Sequence, residues 1–577
     1  MHPVTEGGAI HTEGEKEAEQ TCPVEGPLNC SFFTNLCDAF GWKLLLLVGL
    51  AEITLKGFVA GGGSGGLVGT PIEFLLKEYE VKAADLQVYK SAVLIPWAIK
   101  PLFGLIADSM PILGFNRTPY FALNSIAGVT ALFMIGFIPS LSLSVLLMMF
   151  FLVFMDIAWS DLLTEAVYST HLREKPDQGP SLISFIWGGI GIGKLVCISI
   201  VGILMEKVGN RAPYLIAAPA AAFTLLITFL NLPEETSRRG RCCKKLGGSE
   251  MPLAIVGLVI GLGALSLALL SVFGGDLHTK VICAGILACV ALGLVSSALT
   301  PIVAKVNAFF FIQSICSFSI SGASFYFFTD GPEAYPDGPH LSKVFYSSAI
   351  GFVSTVFSLV GMLVYNKWMQ HWRYPFILMM GSLMSCACSL VSCIVFTRLN
   401  VRLGISDKFF VLASDAIQMV VMEIAWLPNM LLMSQLCPKG CEATMFALLA
   451  GMGNLGANLG NYFGAFLLQM LSVQPTGAAG DEKQFENLWV AAVVAAIAPC
   501  IPLVLVFQLI PNISQKDPIK GLTSSSAGSP LSRFLSHYFN IEDIPSDDSS
   551  QELHNWKEVD AEENVSSSDE EEKSVMC

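Results

Sequence analysis

Two similar heptapeptides carry acidic residues inside long apolar runs. Residues 155–161 read MDIAWSD and residues 422–428 read MEIAWLP, so Asp156 and Glu423 occupy matching positions. A charged side chain at the centre of a membrane-spanning helix costs roughly 2.5 to 3.5 kcal/mol on insertion scales, so it is expected to face a partner or an aqueous cavity. A buried carboxylate can accept hydrogen bonds from a ligand or carry a proton. The pattern predicts a binding and proton-coupling site shared by Asp156 and Glu423.

Three lysines also lie within apolar segments. They are Lys56, Lys100 and Lys194. An ammonium group in such a place can hold a carboxylate of a substrate. Lys56 follows Glu52 by four residues, so these two side chains share a helix face and can neutralise each other. The alternative interpretation of each charged residue is an internal ion pair that fixes helix packing.

Aromatic rings and amides complete the candidate site. Rings that can stack on a flat ligand, or simply pack, are those of Trp97, Trp159, Trp426 and Tyr326. Gln313 and Asn454 are polar groups in otherwise apolar helices. Either amide can form hydrogen bonds with a ligand or with a neighbouring helix.

A second charged group lies nearer the predicted cytoplasmic side. Asp161 and Glu165 are four residues apart and share one face of their helix. Asp108 and Arg117 flank the short loop that follows the second apolar segment. We interpret these four residues as an inner gate, a set of charges that closes the cytoplasmic end of the site.

These residues must be held by helices that cross a membrane. The chain has 577 residues, of which 53% are hydrophobic and 14% charged, and its mean hydropathy is +0.60. Continuous runs such as LMMFFLVFM favour helices over the alternating strands of a β-barrel. About 20 helical residues span the hydrocarbon layer, and fourteen apolar segments reach about that length: 42–67, 88–108, 119–139, 143–168, 182–205, 212–231, 253–274, 279–302, 304–328, 342–365, 374–396, 408–435, 443–471 and 486–510.

Repeated motifs predict that the chain contains two related halves. Asp156 and Glu423 are 267 residues apart, and two further pairs of similar stretches have offsets of about 257 and 262 residues. Both copies place a Gly-to-Arg loop on the same side, so the repeats are parallel, as in major-facilitator transporters. We therefore predict an all-α polytopic membrane protein with two six-helix repeats and an inserted helix pair, 6+2+6 spans. The predicted divisions are 1–41, 42–232, 233–303, 304–511 and 512–577.

The distribution of charge predicts the orientation in the membrane. The basic stretches RRGRCCKK (238–245) and NKWMQHWR (366–373) are placed in the cytoplasm by the positive-inside rule. The acidic loop 329–340 then lies outside, whereas the basic loop 397–408 speaks against this scheme. With an even number of spans both termini are cytoplasmic. The end segments 1–41 and 512–577 are rich in acidic residues and are predicted to be disordered tails.

The sequence argues against a membrane enzyme. A catalytic site needs a nucleophile with its base or a metal cluster, and all eight histidines lie outside the helix centres. Cys437 and Cys441 have a metal-like spacing, but no histidine or second cysteine pair accompanies them. The glycine-rich run GFVAGGGSGGLVG (57–69) lacks the Gly-Lys-Ser/Thr ending of a phosphate loop and favours close helix packing. We predict no catalytic residue, metal or cofactor.

Several stretches resemble the folate/biopterin transporters, a branch of the major facilitator superfamily. The resemblance is carried by PWAIKPLFGLIAD (96–108), DIAWSD (156–161), GMLVYNKWMQHWRYP (361–375) and LPNMLLMSQLCPKGCEATMFALLAGMGNLG (427–456). It covers most of 42–232 and 304–511 but not the tails or the inserted pair. One departure is that Ser109, and not a basic residue, follows Asp108, which leaves Arg117 alone as the cation of the inner gate.

The resemblance implies a secondary active transporter that imports folate and/or pterins such as biopterin by alternating access. A carboxylate from Asp156 or Glu423 would accept the N–H groups of a pterin ring, and Lys100 or Lys194 would hold the carboxylates of folate. Some members of the family carry S-adenosylmethionine, and a receptor without transport activity would have the same sequence features. The expected partners are a small-molecule substrate, the lipid bilayer and protons, but no nucleic acid. The protein is expected to be a monomer in the plasma membrane.

Overall fold

The computed structural model of the chain is helical throughout its described parts. It describes residues 30–63, 65–235, 251–437, 442–517, 519, 529–531 and 533–534. Three predicted features lie outside the described residues: most of both acidic tails, the basic loop at 238–245 and the end of the Cys437–Cys441 stretch. Within the described ranges, extended pairing is limited to two isolated bridges. The all-helical prediction is confirmed.

Sixteen helices organise the described chain. The first part contains α1 (Cys30–Phe40), α2 (42–59), α3 (Gly66–Glu78), α4 (Ala83–Ser109), α5 (Thr118–Phe137), α6 (Leu143–Glu174), α7 (Gly179–Lys207) and α8 (Ala212–Phe229). The second part contains α9 (Met251–Phe273), α10 (Leu277–Ala298), α11 (Pro301–Thr329), α12 (Val344–Met369), α13 (Tyr374–Phe396), α14 (Asp407–Gln435), α15 (Glu442–Met470) and α16 (Asp481–Leu509). A short helix, Leu399–Arg402, lies between α13 and α14.

Twelve of these helices are long and apolar enough to cross a membrane. Two predicted spans are not among the twelve. The first corresponds to α2 and α3, which are separate helices, and α2 carries Lys43, Glu52 and Lys56. The other corresponds to α15, whose glycines and asparagines lower its hydropathy. The detailed 6+2+6 count stays a prediction.

Glycines create the closest contacts between helices. A Cβ atom on Gly57 of α2 would lie 3.0 Å from the Cα atom of Ile190 in α7. A Cβ atom on Gly193 would lie 2.8 Å from both the carbonyl oxygen of Ile53 and the nitrogen of Phe58. In α15, three glycines at four-residue spacing contact α11: Gly456, Gly460 and Gly464. Close packing is therefore one role of the glycine-rich run, as the sequence predicted.

The helices form two bundles that face each other. Helices α2–α8 make the first bundle and α11–α16 the second, and we call these the N half and the C half. The seam between them has two sides, because α4 packs along α15 and α7 packs along α12. The pair α9–α10 lies over the α4–α15 side, with α9 against α4 and α10 against α15 and α11. Ser271 Oγ of α9 lies 2.8 Å from the hydroxyl of Tyr462 in α15.

Candidate functional site

Two helices that correspond in the predicted repeats are interrupted at corresponding positions. The N half is interrupted between α2 and α3, and α11 of the C half is interrupted between Cys316 and Ser321. An interruption leaves backbone N–H and C=O groups without helical partners, which inside a membrane must be paired by protein or face a cavity. Broken helices of this kind form the substrate sites of many transporters. The two interruptions therefore direct attention to the seam between the halves.

The interruption in α11 is filled by a side chain from the N half. Gln87 Nε2 of α4 donates to the carbonyl oxygens of Ser319 and Asn461 at 3.0 and 2.9 Å. Gln87 Oε1 accepts a hydrogen bond from the backbone N–H of Gly322 at 3.3 Å. Gln87 is 1% exposed. One buried amide thus pairs three backbone groups and joins the two halves.

The interruption between α2 and α3 borders a cavity instead. Three of its glycines have positive φ angles, 59° at Gly61, 91° at Gly62 and 65° at Gly66, which other residues rarely adopt. The cavity measures about 410 Å³. Its lining comes from the interruption with Thr70, from α7 and from α12: Gly61, Gly62, Gly63, Gly65, Gly66, Thr70, Lys194, Ile198, Ser347 and Gly351. Both halves therefore contribute to one space, and Lys194 is the candidate lysine that lines it.

Lys56 and Lys100 belong to a separate, buried network of ion pairs. Asp161 lies between them: Lys56 Nζ is 2.5 Å from Asp161 Oδ1, and Lys100 Nζ donates to Asp161 Oδ2. Each ammonium has a second carboxylate, since Glu52 lies 3.3 Å from Lys56 and Glu165 lies 3.1 Å from Lys100. The network joins α2, α4 and α6. In this structure both lysines are already paired, as in the interpretation that such charges fix helix packing.

Asp156 is enclosed within the N half. The hydroxyls of Ser125 and Ser160 donate to Asp156 Oδ1 at 3.3 and 3.4 Å. A Cβ atom on Gly128 would lie 2.6 Å from Asp156 Oδ2. Ser125 Oγ also lies 2.8 Å from Thr224 Oγ1 of α8. Asp156, which is 1% exposed, therefore faces α5, within the N half, and not the C half.

Glu423 lies in the C half, against α12. Ser358 Oγ donates to Glu423 Oε1 at 2.5 Å, whereas Glu423 Oε2 is buried without a hydrogen-bond partner among the described residues. A second pair lies along the same two helices, where Ser354 Oγ donates to Asp415 Oδ2. The structure does not bring Asp156 and Glu423 together, since each is held by hydroxyls of its own bundle. Their roles toward substrate and protons stay predictions.

Two of the candidate tryptophans, Trp159 and Trp426, have different surroundings. Trp159 stacks between Phe103 and Tyr120, with ring centroids 4.7 and 4.8 Å apart, and it is 5% exposed. This is packing inside the N half. Trp426, which is 43% exposed, leaves a large part of its ring uncovered.

The candidate amides both bond to neighbouring helices. Gln313 Nε2 of α11 donates to Ser382 Oγ of α13 at 2.8 Å. Asn454 Nδ2 of α15 donates to the carbonyl oxygen of Trp97 in α4 at 3.3 Å, so this bond crosses the seam.

The four residues predicted as an inner gate form two groups. Asp161 and Glu165 bind the lysines of α2 and α4, as described above. The backbone N–H groups of Arg117 and Thr118 each donate to Glu235 Oε2 at 3.0 Å. Asn116 Nδ2 donates to the carbonyl oxygen of Asp108 at 3.4 Å. The loop around Arg117 is thus tied to the end of the N half, and a shared gating role stays a prediction.

The halves are hydrogen-bonded at the end where the acidic loop 329–340 lies. The backbone N–H of Ala83 donates to the carbonyl oxygen of Pro475 at 3.0 Å, and the Tyr326 hydroxyl donates to the carbonyl oxygen of Val81 at 2.5 Å. Lys77 Nζ is 2.6 Å from Asp330 Oδ1. Burial raises the pKa of the Asp330 carboxyl, and the Lys77 ammonium opposes that effect. Contacts between α3, α4, α11 and the chain after α15 therefore close this side.

The α7–α12 side is closed at the same end. Lys343 Nζ donates to Asn210 Oδ1 at 2.8 Å, and the backbone N–H of Val344 donates to Glu206 Oε2 at 3.1 Å. Ser348 Oγ accepts from the N–H of Gly202 at 3.0 Å. The end that the sequence predicts to be external is closed.

Gln87, Ser347 and Thr70 were not predicted as site residues from the sequence. Their side chains are uncharged, and the predicted site residues are mainly charged or aromatic. The signal available was the glycine-rich run, because five glycines in the six residues 61–66 interrupt a helix as readily as they permit close packing. We interpreted this run as packing alone. Its first part packs against α7, and its second part lines the cavity.

Comparison with known proteins agrees with this architecture. The chain is 25% identical over 516 residues to the probable folate-biopterin transporter 2 of Arabidopsis thaliana, covering 88% of this chain and 90% of that protein. It is 25% identical over 473 residues to the folate-biopterin transporter of Synechocystis sp., covering 81% and 82%. A crystal structure of an auto-inhibited POT family peptide transporter superposes with a TM-score of 0.54 at 14% identity, covering 84% of this chain and 99% of that one. The helices adopt a major-facilitator fold.

The family model with the description BT1 family matches residues 63–527. That range begins within the interruption after α2 and includes α3 to α16, with the inserted pair. The two relatives named above, from Arabidopsis thaliana and Synechocystis sp., are transporters and not enzymes. The chain belongs to the BT1 family.

Proposed function

We propose that this protein imports folate and/or pterins such as biopterin across the plasma membrane by alternating access. The two halves would rock about the seam, so that a site between them opens to one side of the membrane at a time. Support comes from the names of relatives in plants and cyanobacteria and from the major-facilitator fold. With both termini in the cytoplasm, the structure corresponds to the state that is closed toward the outside.

The observation that carries this proposal is the hydrogen-bonded closure of the seam at one end, next to a cavity that both halves line. Hydrogen bonds from Ala83, Lys343 and Val344 join the halves at one end. Below that closure lies a cavity of about 410 Å³ with walls from both halves. A space that is sealed on one side and shared by two bundles is what alternating access requires of a substrate site.

Candidate residues take different roles within this proposal. Lys194 is suited to binding substrate, because it lines the shared cavity. Glu423 is the candidate for carrying the coupled proton, because its Oε2 is buried and no described residue donates a hydrogen bond to it. Asp156 has two hydroxyl donors and no access to the cavity in this state.

S-adenosylmethionine is the alternative substrate within the same class. The observation that favours it is the pair of carboxylates on the side of α14 that faces α12, where Asp415 and Glu423 each have a serine as hydrogen-bond donor. Such carboxylates suit a cationic substrate. A receptor without transport is the alternative from another class, since a binding cavity would also serve it.

Uptake of radiolabelled folic acid, biopterin and S-adenosylmethionine tests these proposals. The assay uses cells that lack their own carriers, at about pH 5.5 and 7.5, which brackets the ordinary pKa of histidine and changes the proton gradient across the membrane. We expect folic acid or biopterin to accumulate above its external concentration, and more strongly at the lower pH. Accumulation of S-adenosylmethionine alone would select the alternative. Binding without accumulation of any compound would identify a receptor.

A further inference from the structure

The cavity beside α3 contains groups that are suited to binding an anion, and no described residue supplies an anionic partner for them. Lys194 comes from α7, and its ammonium forms no hydrogen bond or ion pair with any described residue. This distinguishes it from Lys56 and Lys100, which each lie between two carboxylates. A cation that lines a cavity without a counter-charge attracts negative ligands.

The beginning of α3 adds further donors at the same place. The first N–H groups of a helix lack intrahelical acceptors, and the helix dipole places partial positive charge there. Helix α3 has 13 residues, and its N-cap residue, Gly65, has no side chain that could accept from these N–H groups. The Thr70 hydroxyl lies near this end, 4.0 Å from where a Cβ of Gly65 would stand.

An independent observation comes from the opposite wall. Ser347 of α12 lines the cavity, is 7% exposed and has a hydroxyl without a hydrogen-bond partner among the described residues. A buried hydroxyl without a partner costs free energy, and rotation of the Ser347 side chain toward the cavity would let a ligand supply that partner. The corresponding interruption in α11 already has its partner, the side chain of Gln87.

We propose that the interruption between α2 and α3 is a binding subsite for the carboxylate of an anionic substrate, held by Lys194, the first N–H groups of α3 and the hydroxyls of Thr70 and Ser347. The subsite rests on the proposed function and names the part of the substrate that it recognises. Folate carries carboxylates at its glutamate end, and biopterin carries none. Because Lys194 belongs to the N half and Ser347 to the C half, a bound carboxylate contacts both sides of the seam.

The test measures binding to the purified full-length protein in lipid nanodiscs. The probe is p-aminobenzoyl-L-glutamate, which has the carboxylate end of folate without the pterin ring, and its dimethyl ester is the neutral comparison. We expect the diacid to bind more tightly than the diester. Lys194→Gln should weaken diacid binding by roughly tenfold to a hundredfold, the range for losing one hydrogen bond to a charged group. Lys207→Gln, at the exposed end of the same helix, should bind like the wild type.

A second pair of variants, at Thr70, tests the position of the subsite at the beginning of α3 without removing Lys194. Thr70→Asp adds a fixed carboxylate near the first turn of α3 and should compete with the probe, whereas Thr70→Asn has similar size without the charge. We expect the aspartate variant to lose diacid binding and the asparagine variant to retain most of it. Equal binding by both variants, or unchanged diacid binding in Lys194→Gln, would overturn the subsite.

Failure of the subsite and failure of the proposed function give different results. If the wild type accumulates folic acid and Lys194→Gln does so with the same KM, transport stands and the subsite is refuted. If no compound accumulates but the diacid binds in a way that depends on Lys194, the subsite stands and the transport proposal fails. Absence of diacid binding to the wild type also refutes the subsite.

Discussion

Replacing Gly193 by alanine tests the contact that positions α2 beside α7. The added Cβ atom would lie 2.8 Å from Ile53 O and Phe58 N, both of them backbone atoms that cannot rotate away. Ordinary contacts lie at about 3.5 Å or more, so α2 and α7 must separate by roughly 0.5 Å. Overpacking of this kind costs about 1 to 3 kcal/mol. We expect Gly193→Ala to lower the thermal stability of the protein.

Gly191→Ala is the matched control, because nothing lies within 4 Å of the Cβ atom that it would add. Both variants gain the same helix propensity, about 0.5 to 1 kcal/mol. The difference between their unfolding midpoints therefore isolates the steric clash. The assay is thermal unfolding of both purified proteins in detergent at one heating rate, and the expected difference is on the order of several degrees. A midpoint for Gly193→Ala that equals or exceeds that of Gly191→Ala would refute the packing argument.

Three further predictions follow from the buried polar groups. Asp161→Asn removes the carboxylate between two lysines and should lower the free energy of unfolding by about 3 to 5 kcal/mol. The Glu165 side chain is 34% exposed, so Glu165→Gln should lower it by less than about 1 kcal/mol. Equal unfolding midpoints for the two variants would contradict the ion-pair network. Gln87→Leu removes the hydrogen-bond partner of Ser319 O and Gly322 N at the α11 interruption and the bond to Asn461 O of α15. It should weaken the closed end, seen as faster alkylation of a cysteine introduced at Ser319, and an unchanged rate would count against this role. Glu423→Gln removes the carboxylate that we propose as the proton carrier and should reduce substrate accumulation driven by an imposed proton gradient; accumulation equal to that of the wild type would exclude Glu423 from this role.

The helices were predictable because continuous apolar runs and the lengths of their interruptions determine which segments can cross a membrane. The matching positions of Asp156 and Glu423 along their helices were also readable from the motif MDIAW/MEIAW. The motif did not show in which direction around its helix each of these two side chains points. Asp156 meets Gly128 in α5, and Glu423 packs beside Gly361 in α12, so neighbours from other helices decide what each carboxylate faces.

The candidate subsite shows a second reason why sequence reasoning stopped short. Lys194 was identifiable as a lysine in an apolar helix, but whether it is paired depends on residues far along the chain. Lys56 and Lys100 have the same pattern and lie among carboxylates from α2 and α6. The glycine-rich run supports either packing or a helix break, and composition alone does not separate these two outcomes.

The inserted pair α9–α10 makes the two sides of the seam differ in their exposure to the surrounding lipid. Since α9 and α10 cover the line where α4 meets α15, acyl chains cannot reach that line directly. The line between α7 and α12 has no such cover from the described helices, and Gly351 and Lys194 lie just behind it. A flat, partly apolar molecule dissolved in the bilayer would therefore meet one lateral entrance rather than two. Amphipathic inhibitors that enter from the membrane should compete for the α7–α12 side.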